Sequence, residues 1–310
     1  MFNNSNNISN YSILMNYCYK QFTVNFKNCE NINLAFLKLL KKEIVEQTKI
    51  KSKWLESFVK FARFNKNLYQ QFIGRIFIML KELEKQNYKV FFYPFTSRSR
   101  LIIGLGSIHS LETSITLHHI FGIPYIPGSA LKGVCRMVAF WKLAQENNLA
   151  ENEEELKIFQ KKFYGELFKD DQDILKYQLL FGAQNFKGLL LFLDAYPEIS
   201  EDGKLFDLDV MNVHYPKYYS GNEPPADWQN PNPIFFLTVK EGIVFNFYVL
   251  FDEFRFNRLK KDKSELTSVL EDLNIENEVK SLLKQALQNF GIGAKTSLGY
   301  GIFQITPDAN

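Results

Sequence analysis

The sequence predicts an α+β fold: a ferredoxin-like (RRM-like) βαββαβ unit, preceded by a largely helical extension and decorated with insertions. Two patterns point to it. Residues 33–86 carry apolar side chains at helical spacing with no proline among them. From Arg100 onward, β-branched or aromatic runs alternate with helical stretches in the order strand, helix, strand, hairpin, helix, strand.

The elements follow in chain order. Residues 1–30 are polar and rich in Asn, and read as peripheral. The opening MFNNSNNISN has no basic run ahead of an apolar core, so it does not read as a secretory leader. Leu34, Leu37, Ile44, Trp54, Leu55, Phe58, Val59, Ala62, Leu68, Phe72, Ile76 and Leu80 form an apolar stripe of two or three helices. The character changes at Tyr88. Lys89–Tyr93 and Arg100–Leu105 read as strands. Pro124 and Pro127-Gly128 make a rigid turn, and Ser129 opens a helix through about Leu143. The stretch at about 146–175 is an acidic helical insertion, and Gly188–Asp194 a buried strand. Residues 200–233, rich in Pro, Tyr, Asp and Asn, read as a long functional loop. Ile234–Val239 and Ile243–Phe251 flank Lys240-Glu241-Gly242 as a hairpin; Leu259–Asn289 is helical, and Phe290–Ile305 is glycine-rich, then strand-like. The expected division is 1–88, the extension, and 89–310, the ferredoxin-like domain.

Of 310 residues, 46% are hydrophobic and 30 are Phe, enough for one large core or two modest ones. No run reaches the roughly 18 apolar residues that span a bilayer. Cys18, Cys29 and Cys135 form no CxxC pair, so neither a zinc ribbon nor a disulfide framework is expected, and a reducing cytoplasm fits. No cofactor or metal is expected. The net charge of +3 is polarised: residues 36–100 hold 15 Lys and Arg against 5 acids, and residues 146–210 hold 7 against 15. The basic end suits phosphates and the acidic end a basic partner, although two solvated surfaces would read the same way.

Two motifs carry chemistry. In Pro127-Gly128-Ser129-Ala130-Leu131-Lys132-Gly133, Ser129 stands as N-cap, and the free N–H groups beyond it would attract phosphate. Lys132 and Arg136, four apart, share a helix face, and Gly133 between them permits another backbone to approach. An ordinary capped helix with two surface cations has the same sequence. The second motif, Gly291 to Gly301, sets Gly291, Gly293, Gly299 and Gly301 around Lys295, Thr296 and Ser297. Such a loop wraps an anion or packs tightly between two elements. The dinucleotide fingerprint and the P-loop both fail on glycine spacing and on the element that follows. Ser129 to Lys132 is also an S-x-x-K string, but the final glycine of K-T-G is missing after Lys295-Thr296.

Together the motifs resemble the RAMP superfamily of CRISPR-associated RNA-binding proteins. Gly122 to Gly133, Leu193 to Pro197, Asp209 to Tyr215 with Tyr218-Tyr219, Asp227-Trp228, and Phe290 to Gly301 resemble the branch that supplies the sixth subunit of type III-B Cmr effector complexes. The likeness covers about Arg100 to Ile305; Ala130 stands where relatives often carry Ser. It implies a non-catalytic cytoplasmic subunit that caps a helical backbone and grips CRISPR RNA toward its 3′ region beside other Cmr subunits and the guide–target duplex. Carried over, Ser129, Lys132 and Arg136 meet RNA phosphates with Lys295, Thr296 and Ser297, and the six glycines of the motifs, Gly128, Gly133, Gly291, Gly293, Gly299 and Gly301, are structural. The superfamily also holds ribonucleases, so the enzymatic alternative is guide processing by a His base from His109, His118, His119 or His214. Asp194 is weighed as a metal-assisted acid or a turn cap.

Overall fold

The computed structural model describes residues 31–37, 40, 44–45, 48–62, 64–213, 218, 221, 224, 228 and 232–306. The expectations for residues 1–30 and for His214, Tyr215 and Tyr219 lie outside the described residues. In chain order the elements are α1 (Ile32–Leu37), α2 (Thr48–Phe61), α3 (Lys66–Lys85), β1 (Tyr88–Ser97), α4 (Gly128–Glu146), α5 (Glu153–Tyr164), α6 (Gln172–Phe181), β2 (Gly182–Ala183), β3 (Phe186–Lys187), β4 (Leu190–Phe192), β5 (Tyr196–Pro197), β6 (Phe206–Val213), β7 (Asn232–Val239), β8 (Val244–Asp252), α7 (Glu253–Asp262), α8 (Ser264–Thr267), α9 (Ile275–Gln285) and β9 (Phe303–Ile305). Among the described residues no helix is long and apolar enough to cross a membrane.

The chain folds into two compact units, each gathering three stretches: residues 1–69, 102–124 and 199–240 form one, and residues 70–101, 125–198 and 241–310 the other. The first division falls between Tyr69 and Gln70, inside α3. The first unit pairs β6 with β7 antiparallel, Phe206 opposite Val239. Its core is aromatic: the fully buried Phe58 contacts Phe36, Trp54 and Phe206.

The second unit is a mixed α/β assembly on an antiparallel sheet, ordered β4-β8-β1-β9, with β5 also pairing β8. β1 and β8 pair from Tyr88↔Asp252 to Thr96↔Val244. Alternation along β8 buries Phe245, Phe247, Val249 and Phe251 on one face, together with Phe95 and Phe303. The other face is partly open, with Phe92 49% exposed and stacked on Tyr248. Helix starts are capped by side chains: Asn152 for α5, Asp171 for α6, Asp252 for α7 and Asn274 for α9. The Tyr177 hydroxyl donates to Glu278 at 2.6 Å and lies 3.4 Å from Lys142, tying α4, α6 and α9 together.

Three expectations are corrected. Arg100–Leu105 is not a strand; the leading strand is β1. Leu101, Ile102 and Ile103 are buried irregular backbone, held singly by Gly301 N–H to the Arg100 carbonyl and Thr116 N–H to that of Ile103. An apolar run signals burial, and strand pairing needs a partner edge as well. Ile234–Phe251 is not a hairpin, because β7 pairs with β6 and β8 with β1. The Lys240-Glu241-Gly242 turn is local and does not choose a partner. The stretch at 200–233 is not wholly loop: Phe-Asp-Leu-Asp-Val alternates with period two and forms β6.

Candidate nucleic-acid interface

The start of α4 is built by close backbone packing. A Cβ on Gly128 would overlap the Phe192 carbonyl of β4, so only glycine lets the helix begin there. The N-cap position is Pro127, which has no side-chain bond to give. This corrects the expectation that Ser129 caps the helix. The cap comes from across the fold: the Asp194 carboxylate accepts the Gly128 N–H at 2.8 Å. Its sequence signal is an Asp closing the apolar run Gly188–Leu193 and ahead of Ala195-Tyr196-Pro197. Ser129 and Ala130 are exposed in the first turn instead.

One and two turns further on, the helix presents cations. Lys132 is half-buried, and among the described residues no carboxylate pairs with it. Burial lowers its pKa, and the positive charge of Arg136 lowers it further. The Arg136 guanidinium turns inward. Its Nη2 donates to the Gly182 carbonyl at 3.0 Å and the Phe163 carbonyl at 3.3 Å, and it lies 4.6 Å from the Tyr164 ring centre. Gly133, between the two, is exposed, and a Cβ added there would meet nothing within 4 Å.

The second motif leaves the irregular turn Ala286–Phe290, which contacts α4. Ile292 N–H donates to the Gly301 carbonyl at 2.9 Å, closing the loop at its neck. Gly301, at φ +70°, sits so near the Ile292 carbonyl that any Cβ would overlap it. Gly291, Gly293 and Gly299 also take positive φ. Lys295 is itself left-handed, at φ 59°, and its carbonyl accepts from Leu298 N–H at 2.9 Å. Lys295, Thr296 and Ser297 thus share one short 3-10 turn, with Ser297, Leu298 and Gly299 exposed at the tip.

Of the histidines of the enzymatic alternative, His109, His118 and His119 lie in the first unit. His109 is fully engaged: Nδ1 accepts the Leu111 N–H at 3.1 Å, so Nε2 carries the proton and donates to the Phe36 carbonyl at 3.1 Å. The ring stacks on Phe36 at 4.3 Å, and burial lowers its pKa. His118 Nδ1 accepts from Ile120 and Phe121 N–H groups, and its ring stacks on His119. Among the described residues no group of three or more His, Cys, Asp or Glu is placed to hold a metal.

A family model described as the RAMP superfamily matches residues 95–304. Among curated proteins, the chain is 32% identical to the CRISPR system Cmr subunit Cmr6 of Pyrococcus furiosus, over 83% of this chain and 78% of that one. It is 26% identical to the CRISPR system CMR subunit Cmr6 of Saccharolobus solfataricus, over 83% of this chain and 72% of that one. Among solved structures, a chain of the type III-B Cmr-beta complex bound to cognate target RNA matches with a TM-score of 0.54 at 21% identity, over 96% of this chain and 89% of that one, a likeness of fold.

Proposed function

The chain belongs to the RAMP superfamily, and on that premise we propose that it is a non-catalytic CRISPR RNA-binding subunit of a type III-B Cmr interference complex. It caps the complex's helical backbone and holds the guide toward its 3′ region through phosphates. Its relatives of known name are Cmr subunits, which supports the assembly part of this reading. The sheet order β4-β8-β1-β9, with α4 between β1 and β4 and α9 between β8 and β9, supports a ferredoxin-like βαββαβ topology for the second unit.

The observation that carries the phosphate part is Lys132. A half-buried ammonium beside a second cation, with no paired carboxylate among the described residues, is electrostatically unfavourable until an anion arrives. The exposed Ser129, Ala130 and Gly133 leave room for a sugar–phosphate backbone to approach α4. Arg136 holds the α4 face in shape and adds positive potential, and Lys295, Thr296 and Ser297 offer a second set of donors. The guide-processing alternative needs a His base free to take a proton. His109 has both ring nitrogens engaged, and His118 Nδ1 accepts two backbone N–H groups, which weighs against it.

The test is binding of labelled single-stranded RNA across a salt series. Lys132→Ala and Lys295→Ala lower affinity for every sequence alike and reduce the salt slope by roughly 0.7 per lost phosphate contact. A changed base preference at an intact slope would sink the proposal.

A further inference from the structure

Helix α7 carries a basic surface that the two motifs do not use. Residues 253–263 hold five cations and two acids, and none of the side chains of α7 is buried. In its first turn is an apolar ring out of place: Phe254 is 59% exposed. Arg258 and Lys261 follow at four and seven residues, on the same helix face. Arg258 is 75% exposed and reaches Asp262 only at 3.9 Å, a weak surface pair. Lys261 has no ion pair among the described residues. Beside Phe254, Arg255 donates to the Gly188 and Lys187 carbonyls and lies over the Phe186 ring, which fixes the exposed Lys187 against the start of the helix. Lys89 adds a cation there, paired with Glu253 at 2.8 Å.

An exposed aromatic ring followed by two cations on the same helix face suits a flexible polyanion with flat bases. The ring gives a base a stacking face, and the cations track the phosphates on either side. An acidic peptide would use the cations and leave Phe254 in water. We infer that α7 is a second single-stranded RNA contact, in which a base stacks on Phe254 and neighbouring phosphates meet Arg258 and Lys261. It is separate from the glycine loop. α7 follows the Tyr88↔Asp252 end of the β1–β8 pair, while Gly301 is bonded to Arg100, just past the other end of β1. Ten strand residues put those ends about 30 Å apart. The choice of RNA over other polyanions rests on the proposed function; the surface itself does not.

The experiment uses the full chain and a 4-thiouridine-containing oligouridine, with affinity read by anisotropy and contacts by photocrosslinking. Phe254→Ala is expected to weaken binding roughly five-fold or more, and to remove the crosslink on the α7 peptide. Phe254→Trp, which keeps a stacking face, retains both. The Arg258→Glu, Lys261→Glu double variant lowers the salt slope. Lys132→Ala and Lys295→Ala weaken binding but leave the α7 crosslink in place. Unchanged affinity and slope in both α7 variants overturns this inference and leaves the α4 reading standing. Loss in the α7 variants alone supports it and overturns the α4 reading. Oligoglutamate that displaces oligouridine from α7, with Phe254→Ala silent, assigns the surface to an acidic protein and overturns it, and an unbound wild-type chain overturns both.

Discussion

Asp194 and Gly128 are joined by a 2.8 Å hydrogen bond, carboxylate to backbone N–H, across the start of α4. The helix end that the sequence offers to phosphate therefore already faces a carboxylate. On the proposed reading, the phosphate contact lies about one turn along the helix, at Lys132. Asp194→Ala leaves the Gly128 N–H without its cap and is expected to cost about 0.5–2 kcal/mol in stability, measured by denaturant unfolding. Asp194→Asn, which removes the charge and keeps an acceptor, is expected to cost less and to tighten RNA binding at low salt.

Gly133→Ala separates packing from recognition. The added methyl meets nothing in this chain, and alanine suits a helix better than glycine by about 0.5–1 kcal/mol. The variant is expected to melt higher and to bind RNA more weakly, since the methyl meets the incoming backbone. Raised stability with unchanged RNA affinity would place the backbone elsewhere.

The proposed Lys132 phosphate contact is expected to couple RNA binding to protons. Burial and Arg136 lower its pKa in the free chain, and a bound phosphate raises it again. Affinity is therefore greatest where Lys132 is charged in the free chain and falls as pH rises through that lowered value. Lys132→Met is expected to flatten this decline, to weaken binding, and to stabilise the free chain by up to about 1 kcal/mol. Calorimetry in buffers of different ionisation enthalpy, at alkaline pH, reads the proton uptake directly.

His109 makes the fold acid-sensitive. Its folded pKa lies below the ordinary 6.5, mainly through burial. Below that ordinary value the unfolded chain takes the proton more readily than the folded one. Stability from the neutral ring is thus complete above about pH 6.5 and declines as pH falls through the lowered folded value. The His109→Gln variant is expected to lose part of this dependence, seen as a smaller drop in unfolding midpoint between neutral and mildly acid buffer.

Gly301→Ala tests the neck of the glycine loop. A Cβ would overlap the Ile292 carbonyl at a backbone angle that alanine rarely takes, so a loss of about 3 kcal/mol or more is expected, with RNA binding lost alongside. Gly299→Ala has no such neighbour and is expected to cost about 1 kcal/mol, from its positive φ alone.

The sequence alone determined what depends on local pattern. Helical periodicity marked α2, α3, α4 and α9, the Pro-Gly turn marked the start of α4, and the two motifs were legible as glycine and cation spacing and as a family likeness. The Ser129 cap, the strand at Arg100–Leu105 and the 234–251 hairpin were misread for one reason. Each local pattern was sound, but the partner was chosen from far along the chain: Asp194 reaches Gly128 across 66 residues, and β6 takes β7 from β8. The inward turn of Arg136 was likewise invisible, because the carbonyls that hold it come from Phe163 and Gly182. Exposure is decided the same way. Spacing placed Lys132 and Arg136 on one helix face, but only packing committed Arg136 to the protein and left Lys132 half-buried, without a paired carboxylate among the described residues.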